Sequence, residues 1–364
     1  KLLLNGATGG TNFGDYLFAE IFQKEAAKQV GSENIYWYDS RYALSDFYKR
    51  NLKYNKKYRL SEIDALICIS GGYFCGDDRT FKNYIIRYLM YFHICLRCIL
   101  RKIPIAIIGV EVGKSKSFII DKIQKFILNR ANLVVVRNEE SMDALSYYGV
   151  KNGVRTADTA HTILSTLFDG KGAAISFEPK TDKRLYFHVQ MSALSEAKRL
   201  IPALNAFLKK HAEYSVFVGT DQYITDETPL FNLLEKINCE KKEVTHYAYP
   251  PDLCSLLDRM DFIITPKLHV GIVGATFSKS VVSFSVHTEK IRRFYNQLHE
   301  AGRSLPMAEF DDEKALRMLE YYCDKPIHVP QDIMDAAYKN IEYLHNFISD
   351  VAEKMKPGGK NEHS

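Results

Sequence analysis

Residues 261–290 read DFIITPKLHVGIVGATFSKSVVSFSVHTEK, and this stretch decides the fold. It begins with a short apolar run typical of a buried strand, followed by a tight turn and by a helix of small residues that begins at Val270. A second apolar strand and a polar loop that ends at Lys290 complete the stretch. A strand, a helix and a second strand in succession predict one unit of a parallel α/β sheet.

Several polar side chains of this stretch are predicted to meet at one edge of the sheet. Lys267 and His269 follow the first strand, at the carboxyl edge where open α/β sheets bind their ligands. Gly271 lies near the start of the predicted helix, whose N-terminus favours an anion. Together with Lys290, these residues predict a crevice for a negatively charged donor.

The remainder of the chain alternates between strands and helices in the same way. Short apolar strands between helices are typical of parallel sheets that are covered on both faces. The alternation lapses between about Leu164 and Lys183, where we place the domain boundary. The predicted fold is α/β, with two Rossmann-like domains facing a cleft in the GT-B arrangement. We assign residues 1–168 to the N-terminal domain, 183–330 to the C-terminal domain, 331–355 to a terminal helix that crosses back to the first domain, and 356–364 to a disordered tail.

Composition narrows the class of protein. The 364 residues are 46% hydrophobic and 26% charged, which is ordinary for a globular protein. A formal net charge of +5 fits anionic substrates or a membrane surface and is too small to indicate nucleic acid. Seven irregularly spaced cysteines indicate a reducing compartment. With no long apolar run and no secretory signal in the sequence, we expect a cytoplasmic protein, at the inner face of the cell membrane if its acceptor is lipid-linked.

The first loop contains Asn12, Gly14 and Asp15 between a strand and a helix. Its glycines do not fit the dinucleotide pattern G-x-G-x-x-G, so no nicotinamide cofactor is predicted. Two interpretations of Asp15 stay open. Spacing alone favours an N-cap of the helix, and the alternative is a carboxylate that acts as a base or positions a hydroxyl.

Similar loops follow the next strands. Ser70, Gly71 and Gly72 come after a buried strand, either as an ordinary turn or as a loop whose backbone approaches a ligand. Arg137 ends a later strand, where its guanidinium would either bind a carboxylate or phosphate in a bidentate manner or pair with Glu139 or Glu140.

The ordered series of these motifs resembles the polysaccharide pyruvyl transferase family over about residues 1–295. The series comprises Asn12-x-Gly14-Asp15, Ser70-Gly71-Gly72, Gly109-x-x-x-Gly113, Val136-Arg137-x-x-x-Ser141, Ala157-Asp158-Thr159-Ala160, Lys267-Leu268-His269 and Lys290. The chain departs from the family pattern at Lys267, where arginine is usual, and at Tyr73, where a third glycine is usual.

The resemblance implies a GT-B-like enzyme that places a pyruvate ketal, taken from phosphoenolpyruvate, on two hydroxyls of a sugar. The acceptor is expected in a bacterial surface-polysaccharide precursor, including one linked to polyprenyl diphosphate. Asp15, Arg137, His269 and Lys290 match positions of the family pattern. Their chemistry suggests His269 as the general acid–base group, Asp15 as a second base or hydroxyl positioner, and Arg137, Lys267 and Lys290 as the cations that bind the donor. No metal and no bound cofactor are expected. The alternatives are a glycosyltransferase that uses a nucleotide sugar and a catalytically idle glycan-binding relative.

Two further segments allow other interpretations. His93, Cys95 and Cys98 have ligand-like spacing, but they lie in an apolar helical pattern, which makes a metal site the weaker interpretation. Residues 82–102 are apolar, aromatic and basic, and they contain no acidic residue. This segment fits a half-buried helix on the sheet or a helix that makes a peripheral membrane contact.

Overall fold

The computed structural model describes residues 1–8, 12–38, 58–75, 81–168, 183–286 and 288–355. The chain forms two compact units, each around a parallel sheet. The first unit consists of Lys1–Thr11, Asp15–Thr162 and Asp332–Ser364, and the second of Asn12–Gly14 and Ile163–Gln331. The division thus falls at Thr162 instead of the predicted residue 168. The predicted tail at 356–364 lies outside the described residues.

The sheet of the first unit has the strand order β2-β1-β3-β5-β6-β7, with β4 paired to β5, and all its pairs are parallel. Its strands are β1 Leu2–Asn5, β2 Ile35–Trp37, β3 Ala65–Cys68, β4 Gly71–Phe74, β5 Ile105–Val112, β6 Leu133–Val136 and β7 Gly153–Arg155. The helices of this unit are α1 Phe13–Val30, α2 Phe81–Arg87, α3 His93–Leu100, α4 Phe118–Leu128, α5 Glu139–Tyr148 and the terminal α14 Gln331–Met355.

Two predicted loops of the first unit are strands instead. Gly71–Phe74 was expected to be a turn, but it pairs with the far end of β5 through Gly71↔Val110 and Phe74↔Val112. Gly109 was expected to follow β5, but the strand continues to Val112. All eight residues of β5 are buried, because neighbouring strands and helices cover it on every side.

The segment predicted as one helix over residues 82–102 is helical through most of its length. A π-helical turn at Tyr88–Phe92 joins α2 to α3. The inner side of this helical segment contributes Phe92, Ile94 and Cys98 to the core of the first unit. The terminal helix α14 belongs to the same unit, and its Asn340 side chain bonds to the Thr156 hydroxyl and the Ala157 carbonyl.

The second unit has a sheet of order β10-β9-β8-β11-β12-β13, again with parallel pairs only. Its strands are β8 Lys183–His188, β9 Tyr214–Gly219, β10 Lys242–Val244, β11 Phe262–Thr265, β12 Ser280–Ser285 and β13 Ser304–Pro306. Its helices are α6 Ile163–Thr166, α7 Leu194–Arg199, α8 Ile201–Lys210, α9 Thr228–Leu234, α10 Pro250–Asp258, α11 Leu268–Thr276, α12 Thr288–Gln297 and α13 Asp312–Tyr322.

Strand order in this sheet reverses between β8 and β11. Strands β9 and β10 follow on one side, whereas β12 and β13 follow on the other. Such a switch point opens a crevice at the carboxyl ends of the two central strands. The fold therefore directs attention to His188, which ends β8, and to Thr265, which ends β11.

None of the helices among the described residues is both long and apolar enough to cross a membrane.

Candidate active site

The carboxyl edge of the second sheet carries a buried polar network at the switch point. His188 Nδ1 lies 2.7 Å from Thr265 Oγ1, which joins the ends of β8 and β11. The Thr265 hydroxyl also accepts the backbone N–H of Lys267 at 3.0 Å. On its other side, His188 Nε2 lies 3.4 Å from Asp221 Oδ1, and Asp221 Oδ2 lies 3.9 Å from Lys267 Nζ. These contacts link the four residues into one circuit, in which Asp221 pairs with the Lys267 ammonium.

Asp221 is the negative charge of this circuit. Its burial raises the pKa of the carboxyl, but the adjacent His188 side chain and then the charge of Lys267 act in the opposite direction. The net result is a pKa below the usual value, so Asp221 is ionised at neutral pH. A buried carboxylate at this position holds a cation in place and offsets part of the cost of burying it.

His269 is the second residue of α11 instead of the end of a strand, because the helix begins at Leu268. Its ring lies directly against the backbone of Gly14. A Cβ atom placed on Gly14 would lie 1.8 Å from His269 Nδ1, where no atom fits. Glycine is therefore the residue that leaves room for the imidazole.

The segment that carries Gly14 is anchored in the second unit. Phe13 N–H donates to the Asp221 carbonyl at 3.1 Å, and Asn12 forms an isolated antiparallel bridge with Gln222. The Phe13 ring meets Tyr247 edge-on at 6.3 Å. Asp221 thus fixes the Lys267 ammonium through its side chain and the Gly14 segment through its backbone. The structure brings two motifs that are far apart in the sequence into direct contact.

The predicted role of Gly271 requires a correction. Its N–H donates to the Lys267 carbonyl at 3.2 Å inside the helix, so it does not point beyond the helix end. The N–H groups that precede it, at residues 268–270, occupy the first turn, whose donors lack an intrahelical acceptor. Any anion at this N-terminus would bind there.

Lys290 lies in the first turn of α12, although a loop was expected at this position. Thr288 and Glu289 begin that helix, and an acidic residue in the first turn stabilises it through the helix dipole. Strand β12 precedes α12 and pairs in parallel with β11, so Lys290 and Lys267 both lie beyond the carboxyl ends of neighbouring strands, at the same edge of the sheet.

Asp15 belongs to the first unit and is the third residue of α1. The helix begins at Phe13, so Asp15 is not the N-cap that its spacing favoured. Burial raises the pKa of Tyr91, and the negative charge of Asp15 adds to that increase. The Asp15 charge also contributes to raising the pKa of Arg137, which follows β6 at the carboxyl edge of the first sheet.

Arg137 is held by two carboxylates of its own unit. Its terminal nitrogens donate to Glu111 Oε2 at 2.7 Å and to Asp158 Oδ2 at 2.8 Å. The alternative prediction, an ion pair of Arg137 with Glu139 or Glu140, was wrong, because the partners of Arg137 are Glu111 and Asp158 and Glu139 pairs with Arg155. Burial lowers the pKa of Arg137, but the charges of Asp158 and Glu111 outweigh it and raise that pKa. Both arms of the fork predicted for a phosphate are thus engaged within the protein.

The Ser70 loop is also tied to its neighbours. Ser70 Oγ lies 2.6 Å from Thr159 Oγ1, and both surround Gly109, whose φ of +68° and lack of a Cβ permit this packing. The side chain of Tyr73 turns into the core, where its hydroxyl donates to the Ile69 carbonyl at 2.5 Å. Tyr73 therefore does not crowd the loop, and Gly71 and Gly72 belong to strand β4.

Of the four residues in the circuit, only Lys267 was predicted from the sequence; Thr265, His188 and Asp221 were not. His188 is the last residue of β8, and Asp221 lies two residues beyond β9. The same rule that selected Lys267, that ligands bind at carboxyl ends of parallel strands, would have selected both. Throughout the parts of the chain that the structure describes, no group of three or more His, Cys, Asp and Glu side chains is placed to hold a metal ion.

Comparison with known proteins identifies the family. The family described as polysaccharide pyruvyl transferase matches residues 12–288, which is more than half of the chain. The chain belongs to the polysaccharide pyruvyl transferase family. The match begins at Asn12 and includes both the Gly14 segment and the Lys267–His269 turn, which meet in the structure. A search of the curated proteins found no match.

Solved structures show that the fold is shared with GT-B-type enzymes. The Staphylococcus aureus MnaA–UDP co-structure superposes with a TM-score of 0.60 at 10% identity, covering 97% of this chain and 95% of that one. UDP-GlcNAc 2-epimerase from Neisseria meningitidis gives 0.58 at 10% identity and covers 97% and 99%. MurG from Acinetobacter baumannii gives 0.53 at 11% identity, with the same coverage. At these identities, the likeness shows the fold.

Proposed function

We propose that the protein transfers a pyruvyl group from phosphoenolpyruvate to two hydroxyls of a sugar in a surface-polysaccharide precursor. Membership of the pyruvyl transferase family supports the reaction class. The observation that carries the proposal is the contact between His269 and Gly14, together with Lys267, two residues before His269, which pairs with the buried Asp221. A proton-transfer group and a cation are thereby held beside a helix N-terminus, as an anionic enol ester requires.

The chemistry balances without an added reductant or metal. One sugar hydroxyl adds to the enol carbon of phosphoenolpyruvate, and a proton is delivered to the methylene carbon, which becomes a methyl group. The second hydroxyl then displaces phosphate from the same carbon, and its proton is lost to the medium or to the phosphate. The products are a cyclic pyruvate ketal and inorganic phosphate.

His269 is the proposed general acid–base group for these proton transfers, because imidazole gives and accepts protons near neutral pH. The Gly14 backbone sets the position of its ring. Asp15, the next residue in the chain, is the proposed second base or hydroxyl-positioning group. The proposal gives Arg137 a positioning role, since Glu111 and Asp158 already engage both of its terminal nitrogens.

Lys267 and Lys290 are the proposed ligands for the carboxylate and phosphate of the donor. Asp221 serves as a positioning residue for Lys267, and His188 and Thr265 complete its support. The N–H groups at the start of α11 add a positive potential at the same edge. Lysine instead of the usual arginine supplies a point charge, so the electrostatic attraction is retained whereas the bidentate geometry is lost.

Thermal unfolding with added ligands tests the donor. Phosphoenolpyruvate at about 100 times its dissociation constant should stabilise the chain by about 2.7 kcal/mol. UDP and UDP-GlcNAc should give no comparable increase in Tm. Stabilisation by nucleotide sugars alone would establish the glycosyltransferase alternative and reject the proposal.

Variants assign the roles. Lys267→Met and Lys290→Met should lose the stabilisation by phosphoenolpyruvate, whereas Lys198→Met, an exposed lysine of the same unit, should retain it. His269→Gln should still bind phosphoenolpyruvate but release phosphate at least about 100-fold more slowly when acceptor sugars are present. If His269→Gln turned over at the wild-type rate, the acid–base assignment would be wrong.

A further inference from the structure

Positive charge is concentrated in one part of the first unit. Residues 81–130 contain ten basic and two acidic residues, a formal charge of +8, whereas the whole chain carries +5. The other residues therefore carry a net −3. Nine of the ten basic side chains are exposed: Lys82, Arg97, Arg101, Lys102, Lys114, Lys116, Lys122, Lys125 and Arg130.

Neither acidic residue of this segment offsets the charge at the surface. Glu111 is buried and pairs with Arg137. Asp121 is half-buried and accepts the Tyr148 hydroxyl at 2.7 Å. The outer surface of the segment is consequently basic throughout.

Exposed apolar side chains are concentrated in the same segment. Of eleven large hydrophobic residues that are exposed among the described residues, five lie between residues 81 and 130: Ile85, Leu100, Phe118, Ile119 and Phe126. Leu100 is 82% exposed, Phe118 74% and Ile119 67%. Single exposed apolar residues are ordinary, whereas a cluster of them marks a surface that binds a partner or a membrane.

Helix α4 presents both kinds of side chain on one face. Phe118, Lys122, Lys125 and Phe126 recur at helical spacing and are exposed, whereas Ile120 and Ile127 enter the core on the opposite side. Lys122 Nζ lies 5.2 Å from the centre of the Phe118 ring, and the Arg130 guanidinium lies 5.2 Å from that of Phe126. Each cation therefore extends alongside an aromatic ring instead of away from it.

Helices α3 and α4 pack side by side and bury their inner sides in one core. Both helices carry exposed apolar and basic residues on their outer sides, to which α3 and its C-cap contribute Arg97, Leu100 and Arg101. The inner side of α3 is buried and carries Ile94, Cys95 and Cys98. The residues with the greatest apolar exposure thus lie mainly on α4, beyond the segment that the sequence singled out.

We propose that the outer faces of α3 and α4 dock on an anionic lipid bilayer. Aromatic and aliphatic side chains beside lysine and arginine are the composition of a helix that lies in a membrane interface. The most exposed side chains here are leucine, isoleucine and phenylalanine, which offer nothing to a phosphodiester backbone, and this disfavours nucleic acid. A second copy of the chain would bring two basic surfaces together, and they would repel each other.

Vesicle flotation with the full chain tests this proposal. The protein should float with vesicles of phosphatidylcholine and phosphatidylglycerol, remain in solution with phosphatidylcholine alone, and dissociate as salt is raised. Each basic side chain near an anionic surface is worth about fivefold in the partition constant. The variant Lys122→Glu/Lys125→Glu should therefore bind the vesicles at least about 25-fold more weakly than the unchanged protein. The variant Phe118→Ser/Ile119→Ser should bind them at least about 10-fold more weakly.

Matched variants in the second unit serve as controls. Lys198→Glu/Lys209→Glu makes the same change of charge at exposed positions, and Phe231→Ser removes an aromatic ring that is 48% exposed. Both should float as the unchanged protein does, and all four variants should keep its Tm because the replaced side chains are exposed.

The proposal is overturned if the unchanged protein does not float with the anionic vesicles or if the control variants lose as much binding as the test variants. Tighter binding to a DNA duplex than to the vesicles would assign the surface to nucleic acid. A dimer that Phe118→Ser/Ile119→Ser dissociates in sedimentation experiments would assign it to self-association. The result does not depend on the proposed reaction, because flotation is measured without any substrate.

Discussion

Replacing Gly14 by alanine tests the contact on which the active-site interpretation depends. The added Cβ would lie 1.8 Å from His269 Nδ1, whereas real Cβ atoms keep at least 3.0 Å from such neighbours. The imidazole, or the backbone beneath it, has to move by the difference of at least 1.2 Å. Overpacking of this kind costs about 1–3 kcal/mol of stability. A displacement of about 1 Å in a proton-transfer group lowers kcat by about 100-fold.

Urea unfolding of a double-mutant cycle isolates this contact. Gly14→Ala should destabilise the protein by about 1–3 kcal/mol, but it should cost almost nothing in the His269→Ala background, where no ring lies in the way. Gly149→Ala is the matched control, since Gly149 has a φ of +75° and no atom within 4 Å of its Cβ position. Its backbone strain should cost the same, about 1 kcal/mol, in both backgrounds.

Additive effects of Gly14→Ala and His269→Ala would refute the reasoning, because the two residues would then not interact. Phosphate release from phosphoenolpyruvate supplies the second readout. Gly14→Ala could show the expected interaction with His269 in the double-mutant cycle and still keep the wild-type kcat. In that case the contact would be correct and the catalytic role of His269 would be wrong. The structural and functional conclusions are therefore tested separately.

Three further predictions concern the remaining parts of both units. Gly271→Ala should raise the free energy of unfolding by up to about 1 kcal/mol and leave turnover intact, since no atom lies nearer than 3.7 Å to its Cβ position. Loss of turnover in this variant would indicate that Gly271 does bind the donor. Glu111→Gln should destabilise the protein by about 3–5 kcal/mol in urea, because it leaves the buried Arg137 with Asp158 alone; a loss below about 1 kcal/mol would contradict the buried pairing. Burial lowers the pKa of His161 from its ordinary 6.5 to about 4. Between pH 6.5 and pH 4, His161 is therefore protonated in the unfolded chain but still neutral in the folded chain. Stability should consequently fall by about 3 kcal/mol as the pH drops from 6.5 to 4, and His161→Gln should remove that part of the pH dependence; an identical pH profile for the variant would contradict the assignment.

The sequence predicted those features that depend on local patterns. The apolar run of residues 262–265 and the small residues after it correctly indicated a buried strand and a helix, with Lys267 following the strand at its carboxyl end. The family followed from the order of motifs along the chain.

Features that depend on strand order or on distant partners were missed. Gly71–Phe74 has the residues of a turn, and only its pairing with β5 makes it a strand. His188 and Asp221 meet because β9, β8 and β11 are neighbours in the sheet, an order that no local pattern specifies. Arg137 likewise found its partners in Glu111 and Asp158 and not in the acidic residues next to it.

The segment Asn12–Gly14 has a consequence for recombining this protein with its relatives. Neither unit is one continuous stretch, since the second includes Asn12–Gly14 and the first includes the chain from Asp332 onward. A chimera with a single crossover near Thr162 would inherit His269 from one parent and the glycine beneath its ring from the other. Hybrids that exchange residues 12–14 together with 163–331 should preserve that fit, and active hybrids are expected to be found among them.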